Sequence, residues 1–78
     1  MRIWVGNLAP EATEQEVREL LAKYGFPEPT AVQWVPGDGT RPGMALEFEG
    51  VHPEGLRPFV ERLDGVYWKG RSINVSLA

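Results

Sequence analysis

One tryptophan in the first apolar segment is placed where it could hold a ligand outside the core. Ile3 and Val5 indicate a strand that buries one face, and the period of two along a strand points Trp4 the opposite way. A flat aromatic ring on the open side of a sheet offers a stacking surface, unless a neighbouring side chain or a chain terminus covers it. Because a chain of 78 residues has a small core, an apolar side chain left outside that core suggests a function.

No other residues form a recognisable catalytic or metal-binding pattern. The sequence contains no cysteine, which excludes disulfides and thiolate metal sites. His52 is the only histidine, and no acid or nucleophile is placed to act with it, so we interpret it as a surface imidazole. The glycines at 37, 39 and 43 lack the spacing of a phosphate-binding loop and do not open a helix. We therefore expect no metal and no cofactor.

The first half of the chain predicts a strand, a helix and a second strand. The segment TEQE at 13–16 is a capping box, and Gly25 is a typical helix stop. Between them, apolar residues recur at helical spacing, and these are Val17, Leu20, Leu21 and Tyr24. The segment AVQWV at 31–35 then indicates a strand with Val32 and Trp34 on its buried face.

The second half predicts a hairpin, a helix and a last strand. The loop PGDGTRPG leads into a third strand at 44–48, whose even-numbered residues face inward. A second helix covers roughly 54–63. Pro58 is awkward within it and is tolerable only in the first turn, where amides lack intrahelical partners. Apolar residues then alternate along the last strand, at Ile73, Val75 and Leu77.

The predicted element order is β-α-β-β-α-β. This order is typical of the ferredoxin-like plan of the α+β class, with two helices on one face of a four-stranded antiparallel sheet. The length suits a single domain over 1–78. Because both helices cover the same face, the other face is open to solvent or to a partner, and Trp4 is expected on it.

Charge and hydropathy limit the classes of partner. The formal net charge is −3, which argues mildly against a protein that holds nucleic acid mainly through phosphates. Charged residues interrupt every apolar run well before the ~18 residues that a membrane span needs, and no signal peptide is visible after Arg2. We therefore expect a cytoplasmic, monomeric protein with no membrane contact.

Two motifs near the ends of the chain resemble those of the RNA recognition motif family. IWVGNL at 3–8 is similar to the six-residue motif of the family's first strand, with an aromatic residue second and Asn-Leu last. LDGVYWKGRSINV at 63–75 is similar to the family's ending, Leu-Asn/Asp-Gly followed after four residues by Gly-Arg-x-apolar-x-Val. The resemblance covers essentially the whole chain and implies single-stranded RNA as the partner.

The family's eight-residue motif on the third strand is degenerate here. It corresponds to RPGMALEF at 41–48, in which Gly43 and Ala45 take the two outward aromatic positions of the family. In the family these two aromatics and the one on the first strand form the platform on which bases stack. With Trp4 as the one remaining ring, the resemblance implies weak RNA binding.

Eight residues are predicted to bind RNA across the open face. Arg2 and Arg41 are candidate phosphate contacts, whereas Glu47 on the same face would repel a phosphate. Polar residues of the second and last strands could hydrogen-bond base edges, or could equally be solvated sheet residues. Val35 and Ser72 are expected on the same face. The predicted set is Trp4, Arg2, Gln33, Arg41, Gly43, Ala45, Asn74 and Ser76.

Two other classes of function remain open. A branch of the family binds tryptophan-bearing peptides through an acidic first helix and an Arg-x-Phe triplet before the last strand. Here four glutamates lie between 11 and 19, and the triplet reads Val66-Tyr67-Trp68 without the arginine. A protein or peptide partner held by the first helix and Trp68 is therefore the runner-up. A small enzyme of acylphosphatase-like fold is disfavoured, because GNLAPEAT after the first strand lacks the arginine-bearing phosphate cradle.

Overall fold

The computed structural model describes residues 1–78 and confirms the predicted order of elements. Four strands form an antiparallel sheet in the order β2-β3-β1-β6, and β4 and β5 form a separate two-stranded hairpin before the last strand. The bounds are β1 Arg2–Gly6, α1 Glu14–Lys23, β2 Ala31–Val35, β3 Gly43–Glu47, α2 Pro53–Leu63, β4 Tyr67–Trp68, β5 Arg71–Ser72 and β6 Asn74–Leu77.

Apolar residues that alternate with outward-facing residues along the two central strands, β1 and β3, form the core. Ile3 of β1 pairs with Leu46 of β3, and Val5 pairs with Met44. All four side chains are fully buried, and the apolar stripes of both helices complete the same cluster. The predicted inward and outward faces of the first and third strands are therefore confirmed. β3 begins one residue earlier than predicted, at Gly43.

α1 has the start that the capping-box sequence predicts. The Oγ1 of Thr13 accepts the N–H of Glu16 at 3.1 Å, and the Glu16 carboxylate accepts the N–H of Thr13 at 3.0 Å. Beyond the last turn, Gly25 takes a φ of +92°, a left-handed conformation that glycine adopts without strain. Both helix ends are confirmed, and they fix the stripe that faces the sheet.

α2 starts one residue earlier than predicted, and its proline does not lie in the first turn, which is where the sequence interpretation allowed it. The helix begins at Pro53 with His52 as the N-cap residue, whose Nδ1 lies 3.4 Å from the backbone nitrogen of Glu54. Pro58 therefore lies in the second turn, where it leaves the Glu54 carbonyl without its usual i+4 partner. Burial of one helix face, at Leu56 and neighbouring apolar residues, holds the helix together across this gap. Histidine is not among the preferred N-cap residues, which is why the sequence did not reveal this start.

Long-range hydrogen bonds attach the β4–β5 hairpin to the end of β1. The side-chain amide of Asn7 donates to the carbonyl of Ser72 at 2.8 Å. The guanidinium of Arg71 donates to the carbonyls of Leu8 and Thr40, at 3.2 and 2.8 Å. These bonds hold the hairpin at the C-terminal end of β1 and next to the loop before β3. Neither helix has the length and hydrophobicity to cross a membrane.

Candidate functional site

The strand register arranges the open face of the sheet in three rows. Each row crosses the sheet from β2 through β3 and β1 toward β6. The middle row is Gln33, Ala45, Trp4 and Ser76. The glycine row, toward the C-terminal end of β1, is Val35, Gly43, Gly6 and Asn74. The charged row, at the other end of β1, contains Ala31, Glu47 and Arg2. The predicted open-face residues of the strands therefore do lie together.

The indole of Trp4 lies across the glycine row instead of standing away from the sheet. A β-carbon added at Gly43 would clash with Cζ2 and Cη2 of the indole, and one added at Gly6 would lie 2.8 Å from its Nε1. Carbon atoms do not approach this closely, so only glycine at both positions leaves room for the ring. Trp4 is half-buried as a result, and part of the ring remains open to solvent.

This arrangement changes the meaning of Gly43. The sequence interpretation counted Gly43 as a lost aromatic position, whereas in the structure the ring from β1 covers it and Gly43 is buried. An aromatic side chain at 43 and Trp4 in its present orientation exclude each other. Gly6, which was not among the predicted site residues, also makes room for the ring. The signal that could have revealed it is a glycine on each of two neighbouring strands, in register beside a tryptophan.

Polar side chains surround the ring on both edges of the sheet. Gln33, Asn74 and Ser76 are exposed. The Oδ1 of Asn74 is so close above Gly6 that an added β-carbon would clash with it, which places the carboxamide at the edge of the indole. Amide and hydroxyl groups both donate and accept hydrogen bonds. They are therefore placed to recognise the edge of a planar group stacked on Trp4.

The two arginines predicted as phosphate contacts differ in their surroundings. The Nη2 and Nε of Arg2 donate to Oε1 of Glu47 at 2.6 and 2.9 Å, so the charge of Arg2 is already paired with a carboxylate. The N-terminal ammonium lies 3.8 Å from the other oxygen of Glu47. Arg41 is exposed in the loop that precedes Gly43 and lies beside the opposite end of the sheet. Of the two, Arg41 has the freer charge.

Trp68, the residue of the peptide-binding alternative, faces α1 and not the sheet. It borders a small groove of about 280 Å³ with side chains of the helix, among them Glu16 and Leu20. The Nζ of Lys69 lies 5.5 Å from the centre of the Trp68 ring and 2.7 Å from a Glu16 oxygen. The hydrogen bond from Lys69, and after it the one from the Thr13 backbone, hold the pKa of Glu16 below its usual value. The protein's own lysine thus occupies this aromatic and acidic surface.

A cleft lies on the helix side of the molecule, away from the open sheet face. It measures about 650 Å³ and runs along α1 and the segment 26–29. Glu14, Glu19 and Glu28 line it, and its one arginine, Arg18, pairs with Glu14 at 3.5 Å. Three carboxylates repel a phosphate backbone. The shape of the surface alone would therefore point to the wrong side of the molecule for a nucleic-acid ligand.

Comparisons with known proteins agree on one family. The family model for the RNA recognition motif matches residues 3–74. The "Putative RNA-binding protein RbpF" of Nostoc sp. is 32% identical over 78 residues, which are 100% of this chain and 73% of that protein.

Solved structures are similar over nearly the whole chain. The crystal structure of RNA-binding protein PG1 has a TM-score of 0.74 at 27% identity, over 100% of this chain and 93% of that one. The RRM of Rna15, solved with bound RNA (GU), has a TM-score of 0.73 at 16% identity and covers 99% of this chain and 81% of its own. At that identity the likeness to Rna15 shows a shared fold alone.

Proposed function

The chain belongs to the RNA recognition motif family, and we propose that it binds single-stranded RNA by stacking a base on the outer face of Trp4. The observation that carries this proposal is the position of the ring, which lies against the glycine row of the open face and stays partly exposed. The RNA-binding name of the Nostoc relative supports the same class of ligand.

Gly6 and Gly43 prepare Trp4 for stacking before any ligand arrives. Ordering a side chain at an interface costs about 0.5–1.5 kcal/mol, and a ring already held against the backbone avoids most of that cost. A stacked base contributes about 1–3 kcal/mol. The base edge then faces Asn74 and Ser76 on one side and Gln33 on the other, whose side chains supply hydrogen bonds.

The binding is proposed to be weak and to depend little on phosphates. One ring replaces the three of a complete family platform, and Arg2 is paired with Glu47. Arg41, which is exposed, and Arg71, which donates to backbone carbonyls, are left as the cations near the face. Each phosphate contact changes the slope of log affinity against log salt by about −0.7 for a single strand, so one or two contacts give a shallow salt dependence.

The protein is proposed to act as a binding module and not as an enzyme. Its family and the name of its relative support this class. We also propose that it is monomeric, because Tyr67 is the single large apolar side chain that the surface exposes, and stable protein interfaces need larger apolar patches. The peptide-binding alternative gains no support, since Lys69 already covers Trp68.

A ¹⁵N chemical-shift titration with pools of short single-stranded RNA tests the proposed function. We expect shifts of amides in β1, β3 and β6, around Trp4, that grow with RNA concentration. Shifts confined to α1 and residues 66–68 would contradict the proposal and favour a ligand on the Trp68 groove. A double-stranded RNA of the same composition is the matched control and should give smaller shifts, because paired bases cannot stack on Trp4.

A further inference from the structure

Tyr67 is the large apolar side chain that the fold leaves most open. It lies in β4 of the hairpin and is 73% exposed. Its neighbour Trp68 faces the opposite side of the same short strand, toward α1. Packing within the protein therefore explains why a large aromatic residue stands at Trp68, but it does not explain the aromatic residue at Tyr67.

The register places Tyr67 on the same side as the open face of the sheet. Asn74 and Ser76 point from β6 into the glycine and middle rows. Ile73 is buried at 1% exposure, so alternation returns Ser72 to the side of Asn74. Tyr67 pairs with Ser72, and directly opposed residues of two strands share a face. Tyr67 thus extends the open face beyond the glycine row.

The hairpin that carries Tyr67 is fixed on both of its sides. Toward β1, the Asn7 side chain holds the carbonyl of Ser72 at 2.8 Å. Toward α1, Lys69 pairs with Glu16 at 2.7 Å. At its base, the N–H of Ile73 donates to the carbonyl of Val66 at 2.9 Å. Because these contacts fix the hairpin backbone, the exposed ring of Tyr67 can bind a ligand with little loss of backbone entropy.

We propose that Tyr67 is a second stacking position, which holds another base of the same RNA strand. This inference rests on the proposed function and extends it. From Gly6 to Tyr67 the path crosses roughly two strand spacings and one two-residue step, about 16 Å along the path, and it passes Asn74 and Ser72. A strand whose base lies on Trp4 can therefore continue past the polar edge of β6 to the hairpin.

A base is the occupant that fits this surface best. Tyr67 is one isolated ring next to a hydroxyl and an amide, and a single ring is far smaller than the apolar patch that marks a protein interface. Stacking needs only one exposed π-face and accepts any base. The site is also continuous with the face around Trp4, so one strand can reach both rings.

Binding of two RNA lengths to Tyr67→Ala tests the inference. For an octanucleotide, which can reach both rings, we expect the affinity to fall about 5- to 150-fold, the range that corresponds to loss of one stacked base. For a dinucleotide centred on Trp4, we expect no change. Tyr67→Phe, which keeps the π-face, is the matched control and should bind both RNAs like the wild type.

The same experiment separates this inference from the proposed function. Equal octanucleotide affinity in the wild type and Tyr67→Ala, with loss in Trp4→Ala, overturns the role of Tyr67 and leaves Trp4 as the site. No octanucleotide binding by the folded wild type overturns both. Because Tyr67 is largely exposed, Tyr67→Ala should keep the melting temperature of the wild type, and thermal unfolding confirms that the affinities compare folded proteins.

Discussion

Gly43→Ala tests whether the glycine row holds the Trp4 ring in place. The added methyl group cannot coexist with the indole in its present position. The colliding atoms, Cζ2 and Cη2, are at the far end of a side chain that can rotate. The ring should therefore swing off β3 while the backbone stays in register, and the stacking surface should lose its orientation.

The energy of this change follows from the area of one ring face. Burial of a whole tryptophan side chain removes about 150–250 Å², and the contact of the half-buried Trp4 ring with the glycine row accounts for roughly a third of that. At about 25 cal/mol per Å², losing the contact costs about 1–2 kcal/mol. Alanine in a strand is favoured over glycine by about 0.5–1 kcal/mol. The net loss of stability for Gly43→Ala is therefore about 0–1.5 kcal/mol.

A double-mutant cycle with Trp4→Ala isolates the contact itself. Measured by urea unfolding, the coupling energy between Gly43→Ala and Trp4→Ala should be about 1–2 kcal/mol, because alanine at 43 meets no ring once Trp4 is gone. Gly55→Ala is the matched control, since Gly55 faces open space in α2, and it should stabilise the protein by up to about 1 kcal/mol. A coupling energy near zero, with Gly43→Ala behaving like Gly55→Ala, would refute the reasoning.

Three further predictions follow from the core, the open face and the α1 cap. Leu46→Ala should lower the free energy of unfolding by about 2–5 kcal/mol, because the site is fully buried, and a loss under about 1 kcal/mol in urea unfolding would contradict the register. Ala45→Phe should tighten RNA binding in a fluorescence titration, since it adds a ring beside Trp4 in the middle row, and an unchanged or weaker affinity would count against that platform. The pKa of Glu16 is lowered below its usual 4.5 by Lys69 and Thr13. The stabilisation of the fold by the Glu16 carboxylate is therefore present above pH 4.5 and is lost as pH falls through the lower pKa of the folded state. The difference in melting temperature between the wild type and Glu16→Gln should then vanish in acid. A difference that stays constant with pH would exclude the Glu16–Lys69 ion pair as its cause.

The sequence predicted which face each side chain occupies better than what that side chain touches there. The period of two placed Ile3 and Leu46 inside and Trp4 outside, and the capping box set the start of α1. Contacts between side chains of neighbouring strands depend on the strand register and on the side-chain rotamers. The spacing of apolar residues in the sequence gives no information about either. This is why the cover of Gly43 by Trp4 was not foreseen, and why Arg2 and Glu47 were expected on one face without being paired.

The start of α2 was missed for a different reason. His52 caps the helix through a ring nitrogen, and Pro53 follows at the first helical position, so the actual start lies ahead of the apolar stripe. The periodic signal begins only at Leu56. Helix propensity allows Pro58 only in the first turn, whereas the packing of the apolar stripe on the sheet tolerates it one turn later.

The affinity of Trp4→Ala for single-stranded RNA tests the central claim most directly. Titration at a temperature where thermal unfolding shows both proteins folded should give a 5- to 150-fold weaker affinity for Trp4→Ala, the equivalent of about 1–3 kcal/mol for one stacked base. Trp4→Phe should keep most of the affinity, because a smaller ring still stacks. An unchanged affinity in folded Trp4→Ala would contradict the claim that this ring is the RNA-binding platform.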